Sequence, residues 1–290
     1  VLEKPLDVRI EDLPIPEPKD DEVLLRITVA GICTNDVRDY KGSKYTYPRV
    51  GGHEYAGVIE KLGNGVDTGM FHIGQKVVNY IIDECGVCYN CKHAHENICD
   101  AAEKGKTFYN EGGISGYFGF AEYIAVKARH LHIVPQDTPD ELAAFSEPLA
   151  CVINSINKTG IRMGDDVVII GGGVMGLLHV LCAKRQGAKV IVSETSAERR
   201  TFALELGADA VIDPMEEDPV EKVKLLTNGR GANVVYNTTA IPAVAGQAIA
   251  MCAKSGLVNM FSSIHPNEPI LVDARSEERR VGKECRSRWS

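Results

Sequence analysis

From Gly164 onward the chain alternates short apolar stretches with helix-forming ones, and this alternation constrains the fold more than any other feature. Strand-like runs at 167–170, 190–192, 210–212, 233–236 and 257–261 are separated by helical stretches rich in Ala, Leu, Lys and Glu at 174–186, 197–206, 219–226 and 243–253. Strand–helix alternation of this kind predicts a parallel, doubly wound sheet. Before about residue 145 the pattern differs. Val/Ile-rich runs at 22–30, 55–60 and 75–82 are short and punctuated by Gly, Pro and Asp, which predicts an irregular β-barrel-like domain. The expected class is α/β in two domains, residues 1–145 and 146–274.

The first strand of the second domain runs into Gly171-Gly-Gly173-Val174-Met175-Gly176 and then into a helical stretch. G-x-G-x-x-G in a strand-to-helix context is a dinucleotide-binding fingerprint of the Rossmann type. Gly171 permits the tight turn, Gly173 lets a pyrophosphate approach the backbone, and Gly176 lets the helix pack on the strand. Support comes from Glu194, which ends the next strand twenty-three residues after Gly171. A carboxylate there accepts hydrogen bonds from the adenosine ribose and repels a 2′-phosphate, so NAD(H) is expected over NADP. Arg199 is a second candidate, lying against the ribose or, on the opposite reading, welcoming that phosphate.

Four cysteines at Cys85-x2-Cys88-x2-Cys91-x7-Cys99 supply a different chemistry. Four thiolates within fifteen residues fit a closed tetrahedral Zn²⁺ site. Without a signal peptide, disulfides are not expected, and the spacings of iron–sulfur sites differ. A closed site leaves no position for a substrate, so its role is structural, in a loop spanning 85–99. The formal net charge of −8 argues against a nucleic-acid partner, which needs a basic face. No apolar stretch approaches the ~18 residues of a membrane span, and a cytoplasmic location is expected. Residues 275–290, RSEERRVGKECRSRWS, match in translation a common sequencing-adapter oligonucleotide and are read as a non-native tail outside the fold. Set aside, the tail removes six basic and three acidic residues, which deepens the charge to −11.

Gly52-His53-Glu54 belongs to the longer pattern Gly52-His53-Glu54-x2-Gly57-x5-Gly63-x2-Val66. Together with Gly31-Ile-Cys33, the cysteine quartet, Glu147-Pro-Leu and the glycine fingerprint, it resembles the zinc-dependent medium-chain alcohol and polyol dehydrogenases, in the sorbitol/threonine dehydrogenase-like branch. The likeness covers essentially all of residues 1–274 and implies a GroES-like catalytic domain before the Rossmann domain. It also implies that the Rossmann sheet's last strand and a returning C-terminal segment are missing here, leaving a sheet edge unpaired. The implied catalytic Zn²⁺ is held by Cys33, His53 and a carboxylate, Glu54 or Glu147, with the other carboxylate waiting behind. Two zinc ions per chain follow, one catalytic and one structural.

The resemblance implies oxidation of a secondary alcohol of a polyol or sugar by NAD⁺, in a homodimer or homotetramer. An L-threonine-type amino-alcohol dehydrogenase is the nearest rival, although that branch usually has Asp in place of Glu147. A non-catalytic zinc-binding module or an inactive fragment is the alternative of another class, and zinc per chain separates them: two for the enzyme, one for the module. Family members usually carry Ser or Thr two residues after the ligating cysteine, to take the alcohol proton. This chain has Asn35 there, so the proton is expected to leave by Thr34, by Glu54 or through zinc-bound water. Pocket walls are expected from 39–47 and 109–120, and the substrate itself is not legible.

Overall fold

The computed structural model describes residues 1–42, 47–103, 109–111, 114–263, 268–270 and 280–283. The chain divides after Pro148 into two compact units. In the first, β1 (Leu2–Lys4), β2 (Asp7–Val8), β3 (Glu22–Gly31), helix α1 (Thr34–Tyr40), β4 (Arg49–Val50), β5 (Glu54–Leu62) and β6 (Lys76–Asn79) are followed by short helices α2 (Tyr89–Lys92) and α3 (Asp100–Glu103). Strands β7 (Tyr109–Glu111), β8 (Ile114–Gly116), β9 (Tyr123–Lys127) and β10 (Leu131–Ile133) and helix α4 (Asp140–Ala144) complete it. They form two five-stranded sheets, β2-β1-β4-β8-β7 and β10-β6-β5-β3-β9. Val23 and Leu25 of β3 pack with Ile59, Val77, Ile124 and Val126, two residues apart on one face of the strand, and Glu22 and Leu24 between them are buried as well.

Strands β3 and β5 run antiparallel with Gly31 opposite Glu54. The residues just after β3 and just before β5 therefore lie at one end of the sheet. A charge cluster stands at the base of the cysteine loop in the same unit. Asp83 accepts from Lys127 Nζ at 2.7 Å and pairs with Arg129 at 3.0 Å, while Glu84 pairs with Arg129 and lies 3.2 Å from His130 Nε2.

Helix α5 (Ser146–Thr159) contains the boundary between the units. Beyond it come β11 (Asp166–Ile170), α6 (Val174–Arg185), β12 (Lys189–Ser193), α7 (Ala197–Glu205), β13 (Ala210–Ile212), α8 (Pro219–Leu226), β14 (Ala232–Asn237), α9 (Pro242–Met251), β15 (Cys252–Met260) and β16 (Arg280–Lys283). The sheet order is β13-β12-β11-β14-β15-β16, all parallel, which is the Rossmann order with its switch point between β11 and β14. Alternation sorts the strand residues into two cores. Val167, Ile169, Val190, Val192 and Tyr236 meet α5, α6 and α7 on one face, and Val168, Ile170, Ile191, Val235 and Val258 meet α8 and α9 on the other. Such doubly buried strands read as unbroken apolar runs.

Sequence pattern predicts no strand beyond 257–261, whereas the structure lays Arg280–Lys283 along β15 in the register Leu257↔Arg280 to Met260↔Lys283. The edge expected to be unpaired is thus covered. An open strand edge presents a row of N–H and C=O groups that any extended segment within reach can satisfy.

A buried polar chain runs through the first of the two cores. His179 on α6, 0% exposed, donates from Nδ1 to the Met175 carbonyl at 2.7 Å, so its Nε2 accepts from the Ser155 hydroxyl at 3.1 Å. Ser155 in turn accepts from Asn259 Nδ2 at 3.2 Å. Burial holds the imidazole neutral and lowers its pKa to about 4, with the hydrogen bond to Met175 opposing. The unfolded chain binds a proton near pH 6.5 that the folded one refuses until about pH 4, so stability is complete above pH 6.5 and falls as pH drops through that window. We expect this histidine to cost up to about 3 kcal/mol between pH 7 and pH 4. Urea unfolding of His179→Gln against the unaltered chain checks it: the variant, less stable at pH 7, must lose distinctly less on acidification.

Candidate active site

Cys33 lies two residues after the end of β3 and caps α1, while His53 sits between β4 and the first residue of β5. The Gly31↔Glu54 register therefore carries Cys33, His53 and Glu54 to one point, where their ligand atoms all lie within 4.8 Å of one another. Gly31 permits this approach, since a Cβ there would stand 2.7 Å from Glu54 Oε2. Gly52, at φ +82°, makes the turn that aims His53, and a Cβ would meet the Phe120 amide nitrogen at 2.6 Å.

The trio suits a dication. Burial raises the Cys33 pKa well above the ordinary thiol value, and the charges of Glu54 and Glu147 raise it further, against an N–H donated by Asn35. A divalent cation would reverse each of the raising effects at once by stabilising the thiolate and neutralising the carboxylates. His53 is buried, and its Nδ1 has no hydrogen-bond partner among the described residues, lying 3.8 Å from Asp36 Oδ1. One thiolate, one imidazole and a carboxylate are zinc ligands that leave a position open. Glu147, in the first turn of α5 and 9% exposed, is not one of the close-set trio, although its charge reaches Cys33.

Asp36 is a residue beside the trio that sequence reasoning misses. Its Oδ2 accepts from the Cys33 N–H at 2.9 Å and its Oδ1 from the Gly52 N–H at 3.1 Å, so one carboxylate ties together the two loops that supply the ligands. Its place three residues after a helix-capping position is the available signal. Thr34 and Asn35 are both exposed, and the Asn35 side-chain oxygen accepts from Arg38 at 3.3 Å. A cavity of about 890 Å³ in this unit touches Asp36 and Gly51, but Cys33, His53 and Glu54 do not line it. Of the expected pocket walls, residues 43–46 and 112–113 lie outside the described residues.

The cysteine quartet converges as well. Cys88 Sγ is 3.4 Å from Cys91 Sγ and 4.0 Å from Cys99 Sγ, and Cys85 and Cys91 are 4.0 Å apart. Tetrahedral Zn–S bonds of about 2.3 Å place sulfurs about 3.8 Å apart, within this spread. Backbone N–H groups of Cys85, Cys88 and Cys91 point at sulfurs of the quartet at 3.4 to 3.5 Å. Those donors favour thiolate, and the N–H of Cys91 leads the lowering of the Cys88 pKa. His93 is held elsewhere, stacked on Tyr89 at 4.0 Å.

In the parallel-sheet unit the fingerprint glycines divide their work as the motif requires. Gly171 has φ +99°, and a Cβ on Gly176 would lie 1.9 Å from the Gly171 carbonyl oxygen, so only glycine lets α6 pack this closely. A Cβ on Gly173 would meet nothing within 4 Å. That open side faces away from the protein at the start of α6, whose N-cap carries no side-chain hydrogen bond, and the room and the free donors fit a pyrophosphate. Val174 and Met175 form the first turn. Glu194, 7% exposed, accepts from the Gly172 N–H at 2.6 Å, the Ser196 N–H at 2.8 Å and the Thr195 hydroxyl at 3.1 Å. Burial alone would raise its pKa; the Ser196 and Gly172 donors, Thr195 and the charge of Arg199 prevail and lower it. Arg199 itself is exposed.

Comparisons with known proteins agree with both units. Residues 19–136 match the alcohol dehydrogenase GroES-like domain and residues 174–280 the zinc-binding dehydrogenase domain. A sorbitol dehydrogenase of Halalkalibacterium halodurans is 36% identical over 253 residues, 85% of this chain and 71% of that protein. An L-threonine 3-dehydrogenase of Pyrococcus furiosus is 34% identical over 260 residues, 86% of this chain and 71% of the other. Among solved structures, a zinc-binding dehydrogenase of Sinorhizobium meliloti bound to NADP superposes with a TM-score of 0.89 at 29% identity, covering 99% of this chain and 83% of that one. A nicotinamide dinucleotide and zinc are the cofactors these relationships support, and no described helix is long and apolar enough to cross a membrane. The chain belongs to the zinc-dependent medium-chain alcohol and polyol dehydrogenases.

Proposed function

We propose that this protein oxidises a secondary alcohol of a polyol or sugar derivative with NAD⁺, using a zinc ion held by Cys33, His53 and either Glu54 or Glu147. The observation that carries this reading is the convergence of Cys33, His53 and Glu54 within 4.8 Å. When bound, zinc supplies Lewis-acid polarisation of the alcohol oxygen and the dinucleotide accepts the hydride. The chain's own residues do the rest. Asp36 keeps the Cys33 and His53 loops in register. Gly171, Gly173 and Gly176 open the start of α6 to the pyrophosphate, and the carboxylate of Glu194 supports NAD⁺ over NADP⁺ by its place beside that loop. Cys85, Cys88, Cys91 and Cys99 hold a second zinc that takes no part in the chemistry. The family likeness also carries homodimeric or homotetrameric assembly and a cytoplasmic location into this reading.

Similarity to an L-threonine 3-dehydrogenase supports threonine as the second substrate class. Both are tested by one screen: NAD⁺ reduction with polyols, sugar acids, sugar phosphates and L-threonine, alongside zinc per chain. Turnover of a polyol with two zinc ions supports the proposal. Turnover of threonine alone selects the second reading, and one zinc with no turnover returns the chain to a binding module.

The proton of the alcohol leaves by Glu54 or Thr34, since Asn35 has no hydroxyl. Asn35→Thr restores one two residues after Cys33 and is expected to raise kcat about tenfold or more with zinc content unchanged. An unchanged kcat would show that the existing route already suffices.

A further inference from the structure

The turn after β12 contains a second arginine, adjacent to Arg199 in sequence and opposite to it in behaviour. Arg200 points inward, donating from Nη1 to the carbonyls of Glu194 and Thr195, both at 2.7 Å. Its Nη2 lies 2.8 Å from Asp213 Oδ2, with both side chains 18% exposed. Asp213, just after β13, is itself oriented by the Met215 N–H, which it accepts at 3.0 Å. The backbone at Glu194 is further fixed by its own N–H, which donates to the Ile212 carbonyl at 3.1 Å. These contacts of Arg200 thus fall on the segment that presents Glu194 and on the strand end beside it.

We propose that the Arg200–Asp213 pair sets the cofactor preference of this protein: Arg200, through the backbone carbonyls of Glu194 and Thr195, holds the turn that presents Glu194 to the ribose hydroxyls, and Asp213 withholds the Arg200 guanidinium from a 2′-phosphate. The inference rests on the dinucleotide reading of the Gly171–Gly176 loop. A 2′-phosphate at this turn would meet the Glu194 carboxylate, which repels it, and the exposed Arg199, which attracts it. A second guanidinium would tip that balance, because planar, bidentate recognition of phosphate is what arginine does best. Asp213 occupies one edge of the Arg200 fork and two carbonyls the other. Arg200 is a positioning residue, acting through Glu194 when clamped and on the phosphate only when released.

The two halves of the clamp predict opposite signatures, measured by calorimetric titration of NADH and of NADPH into the full chain. Asp213→Ala releases Arg200 and is expected to tighten NADPH, narrowing the NADPH-to-NADH ratio of Kd values about tenfold. Arg200→Ala loosens Glu194 and is expected to weaken NADH about fivefold with no gain in NADPH. Asp213→Asn, which keeps the volume, should fall on the Asp213→Ala side and serves if the alanine variant does not fold. If both dinucleotides shift by the same factor in each variant, the pair is merely structural and the inference is overturned while the dinucleotide reading stands. If the unaltered chain binds neither, the dinucleotide reading fails and the inference falls with it.

Discussion

Cys33→Ala is expected to lower the zinc content from two ions per chain to one and to reduce turnover at least a thousandfold. The loss comes from what the thiolate does among these neighbours. Cys33 stands with His53 and Glu54 within 4.8 Å and feels the charge of Glu147, so it is the one soft, anionic donor in a set otherwise made of an imidazole and hard oxygens. Removing it leaves too few close donors for a tetrahedral ion with an open position. Metal polarisation of a reacting oxygen contributes several kcal/mol, and each 1.36 kcal/mol is a factor of ten in rate. The fold should survive. In the metal-free protein Cys33 is a half-buried thiol hemmed by acids, and alanine relieves rather than creates an unfavourable contact. The decisive measurement pairs metal analysis with turnover and a far-UV spectrum. Two zinc ions retained, or turnover within tenfold of the unaltered chain, would sink the assignment of Cys33 as a ligand.

The parallel-sheet unit is legible in the sequence almost element by element, because its strands are buried on both faces and announce themselves as apolar runs. The expected strand at 167–170 is Asp166–Ile170, and the expected helix at 219–226 is Pro219–Leu226. The candidate ligands of the quartet are legible from spacing and chemistry, and those of the catalytic site from the family resemblance. What holds them in place is not. Asp36 works through two backbone N–H groups sixteen or fewer positions away, and Arg200 through two carbonyls and an aspartate beyond the next strand. Apart from the capping position that marks Asp36, contacts between a side chain and backbone of another element leave no period or motif in a sequence. β16 escapes for a related reason: Arg280–Lys283 is a polar, charged stretch whose strand conformation comes from the free edge of β15, a tertiary fact that local pattern does not carry.

Stripping the structural zinc with a strong chelator, or replacing Cys99 by serine, is expected to melt the segment 85–99 and lower Tm by about 10 °C. Without metal, four sulfurs remain packed 3.4 to 4.0 Å apart where pairs are close. Backbone N–H donors favour thiolate at Cys88, while burial and the neighbouring sulfurs push the Cys91 pKa up to about 12, so without a cation the quartet cannot hold four thiolates and nothing bonds its sulfurs together. Beyond the sulfurs the loop has little to hold it. Its longer helix has four residues, Val87 and Tyr89 are exposed, and the buried side chains are chiefly Asn97 and Cys99. The charge cluster of Asp83 and Glu84 with Lys127, Arg129 and His130 secures only the base. A metal bound only by the folded state stabilises it in proportion to the logarithm of its concentration over Kd. A loss of about 3 kcal/mol shifts a unit of this size by roughly 10 °C. Limited proteolysis localises the effect, with new cuts expected between 85 and 99 and none within β11 to β15. Thiol titration counts it, five more reactive sulfurs appearing on chelation, the four of the quartet and Cys33. A chelated protein that keeps its Tm, its protease resistance and its thiol count would mean that this quartet holds no zinc.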